Sequence, residues 1–94
     1  MLIGVLSANL SLQGVTSLKQ KRSIVKGAIG RIQSRFNCSI SEVDHQDSKI
    51  LATLGIAIVG NEHRFLDQQL DSILGFLRAD GRFYVSQVER DVFR

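Results

Sequence analysis

Between Leu6 and Leu12 the chain alternates Leu6, Ala8, Leu10 and Leu12 with Ser7, Asn9 and Ser11, the period of two of a strand with one covered face. This predicts a first strand over about Leu2 to Leu12. Gln13 to Thr16, with Gly14 inside, forms the connection, and Ser17 followed by Gln20 has the spacing of a capping box, which satisfies free amides at a helix start. The rhythm then changes to 3.6. Leu18, Val25, Ala28, Ile29, Ile32 and Phe36 fall in one stripe, with Lys19, Arg22, Ser23, Lys26, Gln33 and Ser34 outside it. The pattern predicts a helix that packs along one side and shows bases on the other.

Cys38, Ile40 and Val43 mark a short second strand, and the parity shift between Ile40 and Val43 implies a bulge. Asp44 to Ser48 reads as a hairpin loop. A third strand over about Lys49 to Val59 sets the bulky Ala52, Leu54, Ile56 and Ile58 against the small Thr53, Gly55, Ala57 and Val59. Asn61 is the expected N-cap of a second helix whose stripe is Leu66, Leu70, Ile73, Leu74 and Leu77, with Gly81 as its C′ residue. Phe83 to Val88 is the fourth strand, followed by a charged end, Glu89 to Arg94, that either continues the strand or frays. The order β-α-β-β-α-β defines an α+β, ferredoxin-like fold, a four-stranded antiparallel sheet with two helices on one face. That topology brings the start of helix one, the strand two to strand three hairpin and the end of helix two to one edge. Lys19, Lys21, Arg22, Arg78 and Arg82 are therefore expected near Glu42, Asp44, Asp47 and Asp80.

Length and composition narrow the reading. Ninety-four residues, 44% hydrophobic and 22% charged with no proline, fit a single domain over residues 1–94 with a buried core. The single cysteine, Cys38, cannot close an intramolecular disulfide. No positive n-region opens the chain, and its most apolar run, residues 50–60, is far short of the ~20 residues that cross a bilayer. These features point to a soluble cytoplasmic protein without a membrane partner. The net charge of +3 hides an asymmetry: residues 1–41 hold six bases and no acid, the remainder six bases and nine acids. A concentrated positive region favours polyanions, nucleic acid first among them.

The first turns of helix one carry Lys19, Lys21 and Arg22, where the helix dipole disfavours cations by about 0.3–1 kcal/mol each. Their presence there is explained either by an anionic partner held at free helix amides or by surface ion pairs with Asp44, Asp47 and Asp80. The string Glu42-Val43-Asp44-His45-Gln46-Asp47 offers oxygen and nitrogen ligands, but it has no calcium-loop spacing and alternation splits adjacent carboxylates to opposite sides. It reads as a polar hairpin pairing with nearby bases, without metal or cofactor. His63 belongs to the opposite edge, and Cys38 reads as a small buried hydrophobe. Gln13-Gly14-Val15 is similar to the phosphate loop of acylphosphatases, yet Leu18 stands where that family has an arginine and its catalytic asparagine has no counterpart. RNA-recognition motifs stack bases on aromatics of the central strands, and strands one and three have none. Their uncovered face, with Ile3, Val5, Ser7, Thr53, Gly55, Ala57 and Val59, suits sheet-to-sheet dimerisation or a protein partner.

The chain resembles the YlxP-like family of small bacterial proteins, a domain of unknown function. The resemblance is carried by Ser17-Leu18-Lys19-Gln20-Lys21-Arg22, Phe36-Asn37, the Glu42 to Asp47 string, Ala52-Thr53-Leu54-Gly55 and Asn61. It implies a ferredoxin-like fold and a cytoplasmic bacterial protein encoded among genes for translation initiation and ribosome maturation, and it implies no activity. The leading expectation is a non-enzymatic module that docks on structured RNA or the ribosome through Lys19, Lys21, Arg22, Lys26, Arg78 and Arg82. Two alternatives stand beside it: a protein or enzyme that takes a small phosphorylated ligand at the same helix start, and a dimeric protein-binding adaptor using the open sheet face.

Overall fold

In the computed structural model, which describes residues 1–94, the elements follow the predicted order: β1 (Leu2–Ser11), α1 (Leu18–Arg35), β2 (Ser39–Asp44), β3 (Leu51–Gly60), α2 (His63–Arg78) and β4 (Tyr84–Phe93). The sheet order is β2-β3-β1-β4 with every neighbouring pair antiparallel. This is the ferredoxin-like arrangement. The alternation in β1 has the consequence its period requires: Leu6, Ala8, Leu10 and, just past the strand, Leu12 are buried beneath the helices, while Ile3, Val5, Ser7 and Asn9 stay half-buried on the other face. Ile40, Leu54, Ile56 and Ile58 line the same covered face, and Leu66, Leu70, Ile73 and Leu77 of α2 close on it with exposures of 0–1%. Burial of side chains of this size stabilises by about 1.5–3 kcal/mol each.

The start of α1 follows the capping signal. Ser17 Oγ accepts from Gln20 N at 3.1 Å, and Gln20 Oε1 reaches back to accept from Thr16 N at 3.2 Å, one residue earlier than an ideal box. Ser17→Ala is expected to lower stability by about 1 kcal/mol, read as a lower urea midpoint. The predicted bulge in β2 is present as a register shift between Glu42 and Asp44 opposite β3.

Two boundaries differ from the pattern, and a third that it left open is decided. Asn61 is not the N-cap of α2; Glu62 is the last extended residue before His63 and makes no side-chain cap bond, so Asn61 lies one residue too early to reach the first amides. Ala79 caps the end of α2, and Gly81, with φ +86°, turns the chain two residues later. Finally, Glu89 to Phe93 does not fray: it pairs with β1 as far as Ile3↔Phe93. A charged run alternating on a strand needs partners on its inner side, and Arg90 finds them in α2, bonding Asp71 at 2.5 Å and Asp67 at 3.2 Å. Its pKa is raised, chiefly by the hydrogen bond it donates to Asp71 and further by Asp67, against the effect of burial.

Candidate nucleic-acid interface

Among the residues expected to carry charge to a partner, Lys21 is displaced most from its predicted role. It is 0% exposed. At i+3 from Leu18 and i−4 from Val25 it occupies the apolar stripe of α1, whose buried members are Lys21, Val25, Ala28 and Ile32. Its ammonium lies 2.7 Å from Glu42 Oε2 and donates to the carbonyls of His45 at 2.7 Å and Gln46 at 3.5 Å. That Glu42 oxygen is buried with no donor other than this ammonium. Lys21 is therefore an internal strut that ties α1 to the β2–β3 hairpin, not a surface base. Of the hairpin partners expected from sequence, Glu42 and the His45 carbonyl take this role, joined by the carbonyl of Gln46. Asp44 and Asp47 form no ion pair; Asp44 Oδ1 instead accepts from His45 N at 2.8 Å.

Arg82 is also spoken for. Asp80, whose side chain is only 6% exposed, receives Arg82 Nε at 2.7 Å and a further bond from Arg31 of α1. Arg35 lies over the Phe76 ring, 4.6 Å from its centroid, and Phe36 meets the same ring edge-on at 6.2 Å. These contacts join α1 to the end of α2 and were not legible as pairs in the sequence.

What remains free on α1 is a set of three cations. Lys19, Arg22 and Lys26 are exposed, and no carboxylate forms an ion pair with any of them. Arg22 and Lys26, one turn apart, border a cleft of about 300 Å³ between α1 and β2, floored by Val25 and Ile29 and closed by Glu42 and Gln46. Arg78, at the end of α2, is exposed and unpaired as well, beside Phe83 and Tyr84.

The hairpin string is split by the bulge in β2, since strict alternation would keep Glu42 and Asp44, two residues apart, on one face. Glu42 turns inward to Lys21, whereas Asp44 and His45 turn to the uncovered sheet face. His45 adopts φ +64°, a left-handed backbone unusual for a residue with a side chain. Its carbonyl receives Lys21, and its ring Nδ1 sits 3.0 Å from Thr53 Oγ1. Thr53 Oγ1 donates to Asn9 Oδ1 at 2.9 Å, and Asn9 Nδ2 to Gln87 Oε1 at 3.4 Å, a polar chain from the residue after β2 across β3, β1 and β4 that sequence reasoning missed. Its one signal was Asn9 and Thr53 occurring at open-face positions of central strands. Cys38 precedes β2, half-buried against the core; desolvation raises its pKa and keeps it a thiol. No helix is long and apolar enough to cross a membrane.

Fold and charge together define a ferredoxin-like domain with a basic first helix and a bare sheet face. The chain belongs to the family described as "Protein of unknown function (DUF503)", whose model matches residues 3–90. It is 30% identical over 93 residues to "Uncharacterized protein YlxP" of Bacillus subtilis (strain 168), covering 99% of this chain and 96% of that protein. Among solved structures it is similar in fold to SnoaB, a cofactor-independent oxygenase from Streptomyces nogalater, with TM-score 0.53 and 11% identity over 98% of this chain and 91% of that one. Rv0793 from Mycobacterium tuberculosis gives TM-score 0.53 and 15% identity over 100% and 94% of the two chains. A de novo designed protein, Foldit4, gives 0.56 and 10% over 100% and 98%. At such identities the likeness extends to the fold alone.

Proposed function

We propose that this protein is a non-enzymatic binding module of the bacterial cytoplasm that docks on structured RNA, ribosomal RNA in particular, through the exposed side of α1. One observation carries the reading. α1 contains six bases and no acid, and after Lys21 and Arg31 are claimed by carboxylates and Arg35 by the Phe76 ring, three neighbouring cations, Lys19, Arg22 and Lys26, still have no carboxylate partner. Cations in the first turns of a helix act against its dipole, so an anionic partner accounts for them better than stability does. Exposed cations of this kind bind backbone phosphates without reading sequence.

The small phosphorylated ligand is the weaker reading, because the cation best sheltered to grip a single phosphate, Lys21, is engaged by Glu42 and two carbonyls. Titration of labelled ribosomal RNA at about 50 and about 200 mM salt separates the two. Three phosphate contacts predict a loss of affinity of about 20- to 40-fold between these salts. Absence of binding at the lower salt, or binding indifferent to salt, refutes RNA docking. A nucleotide or sugar phosphate that raises the melting point in place of RNA favours the alternative.

A further inference from the structure

We propose that the uncovered face of the sheet is an interface for a second copy of this chain, with β2 of one copy lying over β4 of the other. Register assigns the side chains of this face to rows. Ser39 and Asp91 are the two ends of a row whose centre is Ala57 and Val5; Ser41 and Glu89 end the next, around Gly55 and Ser7; Asp44 and Gln87 end the third, around Thr53 and Asn9. All six end residues are exposed. In each row one end offers a hydrogen-bond donor and the other a carboxylate. Ser39 and Ser41 on β2 are hydroxyls where β4 has Asp91 and Glu89; in the third row the polarity reverses, with Asp44 on β2 and the Gln87 amide on β4. Gln87 uses its oxygen to accept from Asn9, which leaves its amide hydrogens to donate elsewhere.

A two-fold axis running along the strands, between two facing sheets, exchanges β2 with β4 and keeps the rows in step. It sets Ser39 on Asp91, Ser41 on Glu89 and Asp44 on Gln87 of the second copy, and repeats each contact by symmetry. An in-plane axis across the strands instead sets β4 on β4 and drives Glu89 and Asp91 against the same acids of the second copy. Of these two aligned packings the pattern of end residues favours the one with β2 over β4. It also agrees with the wider field, since α1 with its bases packs behind β2, whereas the open-face acids Glu89 and Asp91 lie at the β4 edge. The centre of the face is shaped for close approach. Val5, Ser7, Gly55 and Ala57 floor a shallow groove of about 540 Å³, and small side chains let two sheets reach the ~10 Å separation of packed sheets, with rows aligned to within about 30°. At one end Ile3 and Val59, the latter 63% exposed, would cover each other across the axis.

This inference is independent of RNA docking, because α1 lies on the other side of the sheet. Light scattering and sedimentation of the full chain are expected to give twice the 10.4 kDa chain mass. Ser41→Glu, at an exposed edge position, places a carboxylate opposite Glu89 of the second copy and should weaken the dimer about a hundredfold. Ser41→Glu combined with Glu89→Lys should restore it. Val5→Lys, at the centre of the groove, should give a monomer with an unchanged circular dichroism spectrum. A monomer at every concentration overturns the proposal, as does a dimer indifferent to both Ser41→Glu and Val5→Lys. Failure of the double variant to recover over Ser41→Glu alone overturns the β2-over-β4 arrangement.

Discussion

Lys21→Ala is expected to lower stability by about 3 kcal/mol, because it removes the one cation that compensates a largely buried carboxylate. The Glu42 side chain is 16% exposed and the Lys21 side chain 0%, which places the loss at the low end of the range for broken buried pairs. The same change strips the His45 carbonyl of its 2.7 Å donor and leaves a void beneath α1 beside Val25. For a chain of this size the loss corresponds to a fall in melting temperature of about 12–24 °C. Replacing both partners by apolar residues of similar volume, Lys21→Met with Glu42→Leu, is expected to recover most of it, since neither charge is then stranded in the interior. Thermal denaturation of the single and double variants decides the matter. A Lys21→Ala protein that melts with the parent shows that the ammonium contributes nothing to the fold.

The second large effect is on binding. Lys19→Glu with Arg22→Gln is expected to leave the urea midpoint unchanged or slightly raised while RNA affinity at low salt falls about 10- to 100-fold. The acid at position 19 gains from the helix dipole what the lysine lost, a few tenths to about 1 kcal/mol. Glutamine at position 22 avoids a new carboxylate in the cleft that Arg22 shares with Glu42. Two phosphate contacts fewer should also reduce the slope of log affinity against log salt by about 2. The measurement is paired, a urea titration and a salt-resolved RNA titration on the same protein. A lower midpoint with undiminished binding would assign these bases to the scaffold and remove the RNA reading.

The contrast between Lys21 and its neighbours shows how the information is divided. Periodicity alone specifies six elements, their order, the bulge in β2 and the face of β1 that carries Leu6, Ala8 and Leu10, because burial of one face imposes periods of two and 3.6 directly on the sequence. The same periodicity placed Lys19, Arg22 and Lys26 outside the α1 stripe, where they are exposed. Lys21 reads with the surface bases of the helix start although it stands three residues after Leu18 and four before Val25, and only its partner decides that it is buried. Glu42 lies 21 positions further along the chain, and nothing local marks it as the carboxylate that makes burial of an ammonium tolerable. The same holds for Arg90. Its charged surroundings resemble a frayed end until α2 supplies Asp67 and Asp71 across the sheet. Helix and strand patterns follow from near neighbours and the covered face. Which charges are spent inside the molecule, and hence which remain for a partner, follows from contacts between distant residues that exist only once the chain has closed on itself.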